Sequence, residues 1–190
     1  MNELAKQLGV IYKWQHLFIS FVEIPGKDFE MQITPVTQFQ WQSVMGNNPS
    51  RFKSNIDNEI HPVEMVSYND CLEFIDKLNK QDKLYDYRLP TEEEWQIACT
   101  TGMDNGINQY AVYESNSTKS VGSKLPNKYG LYDMLGNVWE WTSNLKDSSR
   151  VIRGGSCYND ARFLRSAYRY YAEPGVRYDA LGLRVVRTLK

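Results

Sequence analysis

The sequence has few of the residues from which metal and redox sites are built. Its 190 residues include three cysteines, Cys71, Cys99 and Cys157, and two histidines. An odd number of widely spaced cysteines provides neither a disulfide framework nor a CxxC metal or redox motif. We therefore expect reduced thiols, with Cys71 and Cys99 buried on apolar helix faces as small hydrophobic residues.

Long hydrophobic runs are also missing. The most apolar stretch near the N-terminus, residues 11–24, is interrupted by Lys13, Gln15, His16 and Glu23. A secretory leader needs an unbroken apolar core, and a membrane-spanning helix needs about 20 consecutive apolar residues. The sequence therefore predicts a chain without a signal peptide and without a membrane partner.

The formal net charge is −1, which argues against a whole-chain polyanion binder, but the charge is unevenly distributed. Residues 150–190 contain eight arginines, one lysine and three carboxylates, together with five of the 13 tyrosines. These arginines either pair with the acidic remainder in structural salt bridges or serve a binding surface. The composition leaves both interpretations open.

Three helices are predicted from their capping residues, since each follows a Ser or Thr with Gln, Asp or Glu three positions later. The predicted N-caps are Thr37, Ser67 and Thr91, and Gly46 and Gly102 are expected to end the first and third helices. Residues 151–153 and 182–186 are predicted strands. The segment between them, residues 157–180, has neither helical nor strand periodicity, and so long an excursion suggests a function.

Several motifs occur in an order that resembles the formylglycine-generating enzyme (sulfatase-modifying factor) family. They include YRLPTEEEW at residues 87–95, YGLYDMLGNVWEW at 129–141, RVIRGGS at 150–156 and LGLR at 181–184. The resemblance covers roughly residues 20–187. It implies a C-type-lectin-like fold of the α+β class with much irregular structure, in one domain spanning residues 1–190.

The family's enzymes are copper-dependent oxidases that convert a cysteine of a client sulfatase to formylglycine. Their copper is held by two cysteines spaced C-x4-C, because soft thiolates select Cu(I). The matching positions here are Ala161 and Ser166, which cannot bind Cu(I). The resemblance therefore implies a protein that is not an enzyme and binds no copper. An oxidase that uses Cys157 in an altered site is the less favoured alternative.

The resemblance also implies a structural calcium ion in the segment 129–141. Asp133 and Glu140 would supply carboxylate oxygens, and Gly136 and Val138 would supply backbone carbonyls, an all-oxygen set of the kind that Ca²⁺ accepts. The alternative is that both carboxylates accept hydrogen bonds in a tight turn that holds no metal.

A subset of the family comprises the variable proteins of diversity-generating retroelements, whose randomised codons end in a pyrimidine. Such codons cannot encode Met, Trp, Lys, Gln or Glu. These five types account for 42 of residues 1–156, whereas residues 157–180 contain one, Glu173, where about six would be expected in proportion. This depletion favours a diversified binder over a non-catalytic paralogue that binds one fixed partner.

Residues 157–180 are thus a candidate variable ligand-binding region. Tyrosine suits such a surface because it offers a large, rigid contact area with a polar tip. The replaceable, ligand-binding positions are Tyr158, Asn159, Asp160, Phe163, Leu164, Tyr168, Tyr170, Tyr171, Val176, Tyr178 and Asp179. The core is expected elsewhere, on Trp41, Trp95, Trp139 and Trp141.

The expected partner is a protein or another macromolecule. Nucleic acid is not favoured, because the block contains no lysine and no alternating basic pattern. The prediction of a carbohydrate ligand would rest only on the analogy with the lectin fold. The expected location is the cytoplasm or a phage particle.

Overall fold

The computed structural model describes residues 19–53, 60–99 and 106–190, which form three helices and two four-stranded sheets. The helices are α1 (Gln38–Met45), α2 (Tyr68–Gln81) and α3 (Glu92–Cys99). The strands are β1 (Phe21–Glu23), β2 (Glu30–Gln32), β3 (Tyr85–Arg88), β4 (Trp139–Lys146), β5 (Ser149–Arg153), β6 (Arg169–Ala172), β7 (Leu181–Gly182) and β8 (Val186–Leu189). Short 3₁₀ helices cover Ile107–Gln109 and Ala161–Phe163.

The first sheet has the strand order β1-β2-β8-β3, and all its pairs are antiparallel. The second has the order β6-β5-β4-β7, in which β4 and β7 are parallel and the other pairs antiparallel. Strand β6 lies at an edge of this sheet. Mostly antiparallel sheets with separate helices confirm the predicted α+β class.

The predicted helix starts are confirmed. Thr37 Oγ1 accepts the backbone N–H of Gln40 at 3.2 Å, and the Gln40 side chain accepts the Thr37 N–H at 3.0 Å. The same reciprocal bonding occurs at the start of α2 and of α3. Helix α1 ends at Gly46, whose φ of 81° suits a residue without a Cβ atom. The predicted helix end at Gly102, like His16, lies outside the described residues.

The C-terminal strand prediction was wrong in one respect. Residues 182–186 do not form one strand, because the chain leaves the second sheet after β7 and enters the first sheet at β8. Arg184 lies in this crossing, fully buried, and donates to the carbonyl oxygens of Gln32, Ile33 and Tyr132. A buried guanidinium thus holds the crossing in place. The segment 157–180 also contains strand β6, which its sequence did not indicate.

Buried tryptophans organise the core. The Trp41 ring stacks on Phe74 at 5.1 Å, and Trp95 and Trp141 are fully buried. Cys71 and Cys99 are buried as predicted, and Cys157 is buried too. No helix within the described ranges is both long and apolar enough to cross a bilayer.

Candidate functional site

The segment 157–180 is tied to the rest of the molecule through its backbone. The carbonyl oxygens of Cys157 and Tyr178 accept the N–H groups of Ser115 and Met65, at 2.8 and 3.0 Å. Between these points the chain forms a 3₁₀ turn and then β6, which pairs with β5. Backbone bonding of this kind does not depend on the identity of the side chains in the segment.

Aromatic rings gather where this segment passes the start of β4. The ring centroids of Tyr168 and Tyr170 each lie 6.1 Å from that of Trp139, with the planes tilted by 41° and 37°. Phe163 meets Tyr168 edge-on at 5.3 Å. We call Trp139, Phe163, Tyr168 and Tyr170 the aromatic face. These spacings suit favourable aromatic contacts between neighbouring rings.

A set of polar side chains joins the two ends of the segment. The Tyr158 hydroxyl donates to Asp179 Oδ2 at 3.1 Å, and the same carboxylate pairs with Arg51. Loss of solvent and the hydrogen bond to Asp179 raise the pKa of Tyr158 to about 12. The hydroxyl is therefore a neutral donor at physiological pH.

The structure sorts the predicted ligand-binding residues by exposure. Tyr158, Tyr170, Tyr171 and Tyr178 are exposed, between 41% and 55%. The half-buried members are Asn159, Asp160, Phe163, Tyr168, Val176 and Asp179. The exposed tyrosines can reach a ligand without rearrangement of the backbone.

Leu164 was wrongly placed among the replaceable positions. It is 3% exposed and packs in the core next to Gly155. A Cβ atom at Gly155 would lie 2.3 Å from Leu164 Cδ2, so the glycine makes room for the leucine side chain. Asn159 also has a structural role, because its Oδ1 accepts the Ser156 N–H at 2.8 Å and caps the turn.

Residues outside the segment fix its middle. Arg153, whose side chain is fully buried, donates to the Ser166 carbonyl oxygen and to Glu92 Oε1, the latter at 2.7 Å. The same Glu92 oxygen pairs with Arg169 at 2.6 Å. Within the segment, Ala172 at the end of β6 is buried. The path of the segment is thus set mainly by side chains that a ligand would not contact.

The arginine-rich composition has a structural explanation. Most arginines of residues 150–190 pair with carboxylates: Arg153 and Arg169 with Glu92, Arg162 with Asp160, Arg177 with Asp70, Arg184 with Glu140 and Arg187 with Glu30. Arg165 instead lies 6.0 Å from the Tyr168 ring centroid and donates to the Arg162 carbonyl oxygen. Of the two interpretations left open by composition, salt bridging accounts for most of these residues.

Trp139 was predicted to be a core residue, and the structure places it differently. It is half-buried and lies next to Tyr168 and Tyr170 in the aromatic face. Both tryptophans lie on β4, but Trp139 neighbours Tyr168 and Tyr170 of the variable segment, whereas Trp141 is fully buried and meets Tyr68 edge-on. No signal in the sequence separates the two tryptophans, since both lie in the same WEW motif.

The positions that match the family's copper ligands carry no thiol. Ala161 begins the 3₁₀ turn, and the Ser166 carbonyl is held by Arg153. The thiol of Cys157 is fully buried, and burial raises its pKa to about 12. Since copper binds the thiolate, a buried thiol with a raised pKa is a poor copper ligand.

The residues expected to bind calcium do not form an open oxygen cage. The Glu140 carboxylate is already paired with Arg184 at 2.9 Å and accepts the Trp95 indole N–H at 2.7 Å. Asp133 accepts the Gly122 N–H at 2.7 Å, and burial raises its pKa to about 6.

No buried side-chain oxygen in the described parts of the chain lacks a hydrogen-bond partner. These same parts also contain no cluster of three or more His, Cys, Asp or Glu side chains able to hold a metal. The hydrogen bonds of Asp133 and Glu140 favour a hydrogen-bonded turn over the calcium site predicted for Asp133, Gly136, Val138 and Glu140. Calcium binding itself stays a prediction that chelation can test.

Comparison with known proteins agrees with the sequence motifs. A family model described as "Sulfatase-modifying factor enzyme 1-like domain" matches residues 12–189. The chaperone protein LppX of Paenibacillus barcinonensis is 29% identical, over 98% of this chain and 90% of its own length. The inactive C-alpha-formylglycine-generating enzyme 2 of Bos taurus is 32% identical over 80% of this chain, which spans 58% of that protein.

A solved structure gives the same result. Treponema denticola variable protein 1 superposes with a TM-score of 0.75 and 28% identity, and the match covers 89% of this chain and 91% of that one. The expected C-type-lectin-like fold of the family and the resemblance to variable proteins of diversity-generating retroelements are thereby confirmed.

Proposed function

The chain belongs to the family of sulfatase-modifying factor enzyme 1-like domains, and from this premise we propose that it is a non-catalytic, ligand-binding member. It would act as a variable protein of a diversity-generating retroelement and bind a protein through residues 157–180. The proposed location is the cytoplasm or a phage particle.

One observation carries this proposal: within the segment 157–180, the residues that fix the structure are different from the residues that are exposed to solvent. Leu164 and Ala172 are buried and the Ser166 carbonyl is held by Arg153, whereas Tyr170 and Tyr178 are more than half exposed. A surface that changes its contacts needs a backbone that does not depend on the changing side chains. Tyrosine provides the contact area at a low cost in side-chain entropy.

The absence of oxidase chemistry has separate support. Ala161 and Ser166 offer no thiolate, and the Cys157 thiol is buried with a raised pKa. The Bos taurus relative is itself named an inactive enzyme. A binder of this kind would need no cofactor at its surface.

The first experiment asks which positions of residues 157–180 are free of a structural role. Every residue of the segment is replaced in turn, the variants are displayed on yeast, and folded variants are selected by their resistance to protease. Tyr158, Tyr170, Tyr171 and Tyr178 should accept most replacements, because they are exposed. Leu164 should accept few. If the tyrosines proved as intolerant as Leu164, the segment would be structural and the proposed binding surface would be wrong.

A copper titration with a cysteine-peptide oxidation assay tests the non-catalytic part. The wild-type chain should bind no stoichiometric Cu(I) and give no turnover. The double substitution Ala161→Cys and Ser166→Cys serves as the matched control, since it restores the spacing of a thiolate pair. Turnover by the wild-type chain would overturn the proposal.

Diversification is tested in the neighbouring DNA. The expected arrangement is a reverse transcriptase gene beside a near-copy of about the last 100 bases of the gene, in which asparagine codons stand at the replaceable positions. A locus without these features would indicate a binder with one fixed partner.

A further inference from the structure

Trp139 differs from the other tryptophans in its hydrogen bonding. Three of the four tryptophans in the described residues donate their indole N–H inside the protein. The acceptors are Asn47 Oδ1 for Trp41, Glu140 Oε2 for Trp95 and Val66 O for Trp141, at 3.4, 2.7 and 3.0 Å. Trp139 Nε1 has no acceptor among the residues that the structure describes, and it is not sealed from solvent. Its N–H is therefore available to a ligand.

The backbone around Trp139 is firmly placed. Its N–H donates to the Ala180 carbonyl oxygen at 2.8 Å, and it pairs with Leu181 where β4 meets β7. The indole ring is half-buried and packs on the core cluster that includes Trp141. A ring held in this way loses little conformational entropy when a ligand binds.

Trp139 also lies outside the segment that the proposed function treats as variable. Tyr168 and Tyr170 flank its ring at 6.1 Å, so a change at either position alters the rim of the aromatic face and leaves the indole in place. Tryptophan is among the residues that most often dominate binding energy, especially at the centre of an interface. The arrangement is a constant ring surrounded by replaceable ones.

We propose that Trp139 is a constant anchor of the binding surface. Its ring contacts an apolar side chain of a protein ligand, and its indole N–H donates to a carbonyl oxygen of that ligand. Tyr168 and Tyr170 select among ligands, whereas Trp139 contributes affinity to every variant. This inference rests on the proposed function of residues 157–180.

A display experiment tests the anchor. Tyr158, Tyr168, Tyr170 and Tyr178 are randomised in two backgrounds, one with Trp139 and one with Trp139→Ala, and both libraries are selected against immobilised lysozyme as the probe. The library that keeps Trp139 is expected to yield most of the selected binders. Introducing Trp139→Ala into these binders should raise Kd at least about 30-fold, the size of effect that defines a hot-spot residue.

Trp139→Phe keeps an aromatic ring and removes the N–H. It should raise Kd about 5-fold, as expected for the loss of one hydrogen bond, with little change in the melting temperature. Tyr85→Ala is the matched control, because it removes a half-buried aromatic ring from the other sheet, and it should leave Kd unchanged. If Trp139→Ala fails to fold, the Phe variant decides.

The outcomes separate the anchor from the proposed function. Equal numbers of binders from both backgrounds, or an unchanged Kd in Trp139→Phe, would overturn the anchor while leaving the binding surface intact. If neither library yields binders although its members fold, the proposed function fails, and the anchor fails with it.

Discussion

Truncation of Leu164 and of Tyr170 to alanine should have very different effects on stability, although both residues lie in the segment 157–180. Leu164 is 3% exposed and packs in the core, whereas Tyr170 is 55% exposed. Leu→Ala at a buried site costs about 2–5 kcal/mol, because the lost apolar contacts are joined by an unfilled cavity. Tyr170→Ala should cost about 0.5–1 kcal/mol, mostly through its lost contact with Trp139.

The measurement is equilibrium unfolding by urea and by heat, followed by circular dichroism. In a chain of this length, 1 kcal/mol corresponds to about 2–4 °C in the melting temperature. A cost of about 3 kcal/mol for Leu164→Ala therefore lowers the melting temperature by roughly 6–12 °C.

Leu145→Ala is the matched control for this comparison. It removes the same atoms from a leucine that is 61% exposed in β4, and it should change stability by less than about 0.5 kcal/mol. Equal losses for Leu164→Ala and Tyr170→Ala would refute the separation of structural and exposed positions within the segment. A loss for Leu164→Ala no larger than for Leu145→Ala would show that Leu164 does not belong to the core.

Two further predictions concern charged groups. Partial burial acts to raise the pKa of Asp70, but the hydrogen bonds from Arg177 and Ser67, with the charge of Arg177, together outweigh it and hold the pKa below its usual value. Arg177→Ala should therefore cost up to about 1 kcal/mol at neutral pH. The difference in melting temperature from the wild type should shrink as the pH falls below about 4 and vanish once the pH passes the lowered pKa of folded Asp70. A difference that does not change with pH would contradict this. EDTA should leave the melting temperature unchanged, whereas Glu140→Gln should cost about 3–5 kcal/mol by leaving the buried Arg184 unpaired. A fall in melting temperature on chelation would instead support bound calcium.

The starts of the helices could be predicted because capping is local. The Ser67 hydroxyl accepts the Asp70 N–H three residues along the same chain, at 3.1 Å, so the sequence contains both partners of the bond. The fold could be predicted from the resemblance, whose motifs extend over most of the chain. The strand boundary between β7 and β8 could not, because it depends on which sheet each half joins.

The roles of single residues in the site were harder to predict. Leu164 lies near the exposed Arg162 and Arg165 in the sequence, and its burial depends on the space left by Gly155, which lies between β5 and the segment. Trp139 and Trp141 are both large and apolar, and they differ only in what packs over them. Side-chain exposure is a property of contacts between distant segments, so a local pattern does not encode it.

The sequence by itself determined the family, the helix starts, the lack of a thiolate pair and the location of a variable-looking segment, because each depends on residue identity or on bonds between near neighbours. Only the tertiary structure decided that most C-terminal arginines form salt bridges, that Leu164 is buried and that the Trp139 indole N–H has no acceptor among the described residues. These properties arise where β4, β5 and the segment 157–180 meet, and their relative placement exists only in the folded chain.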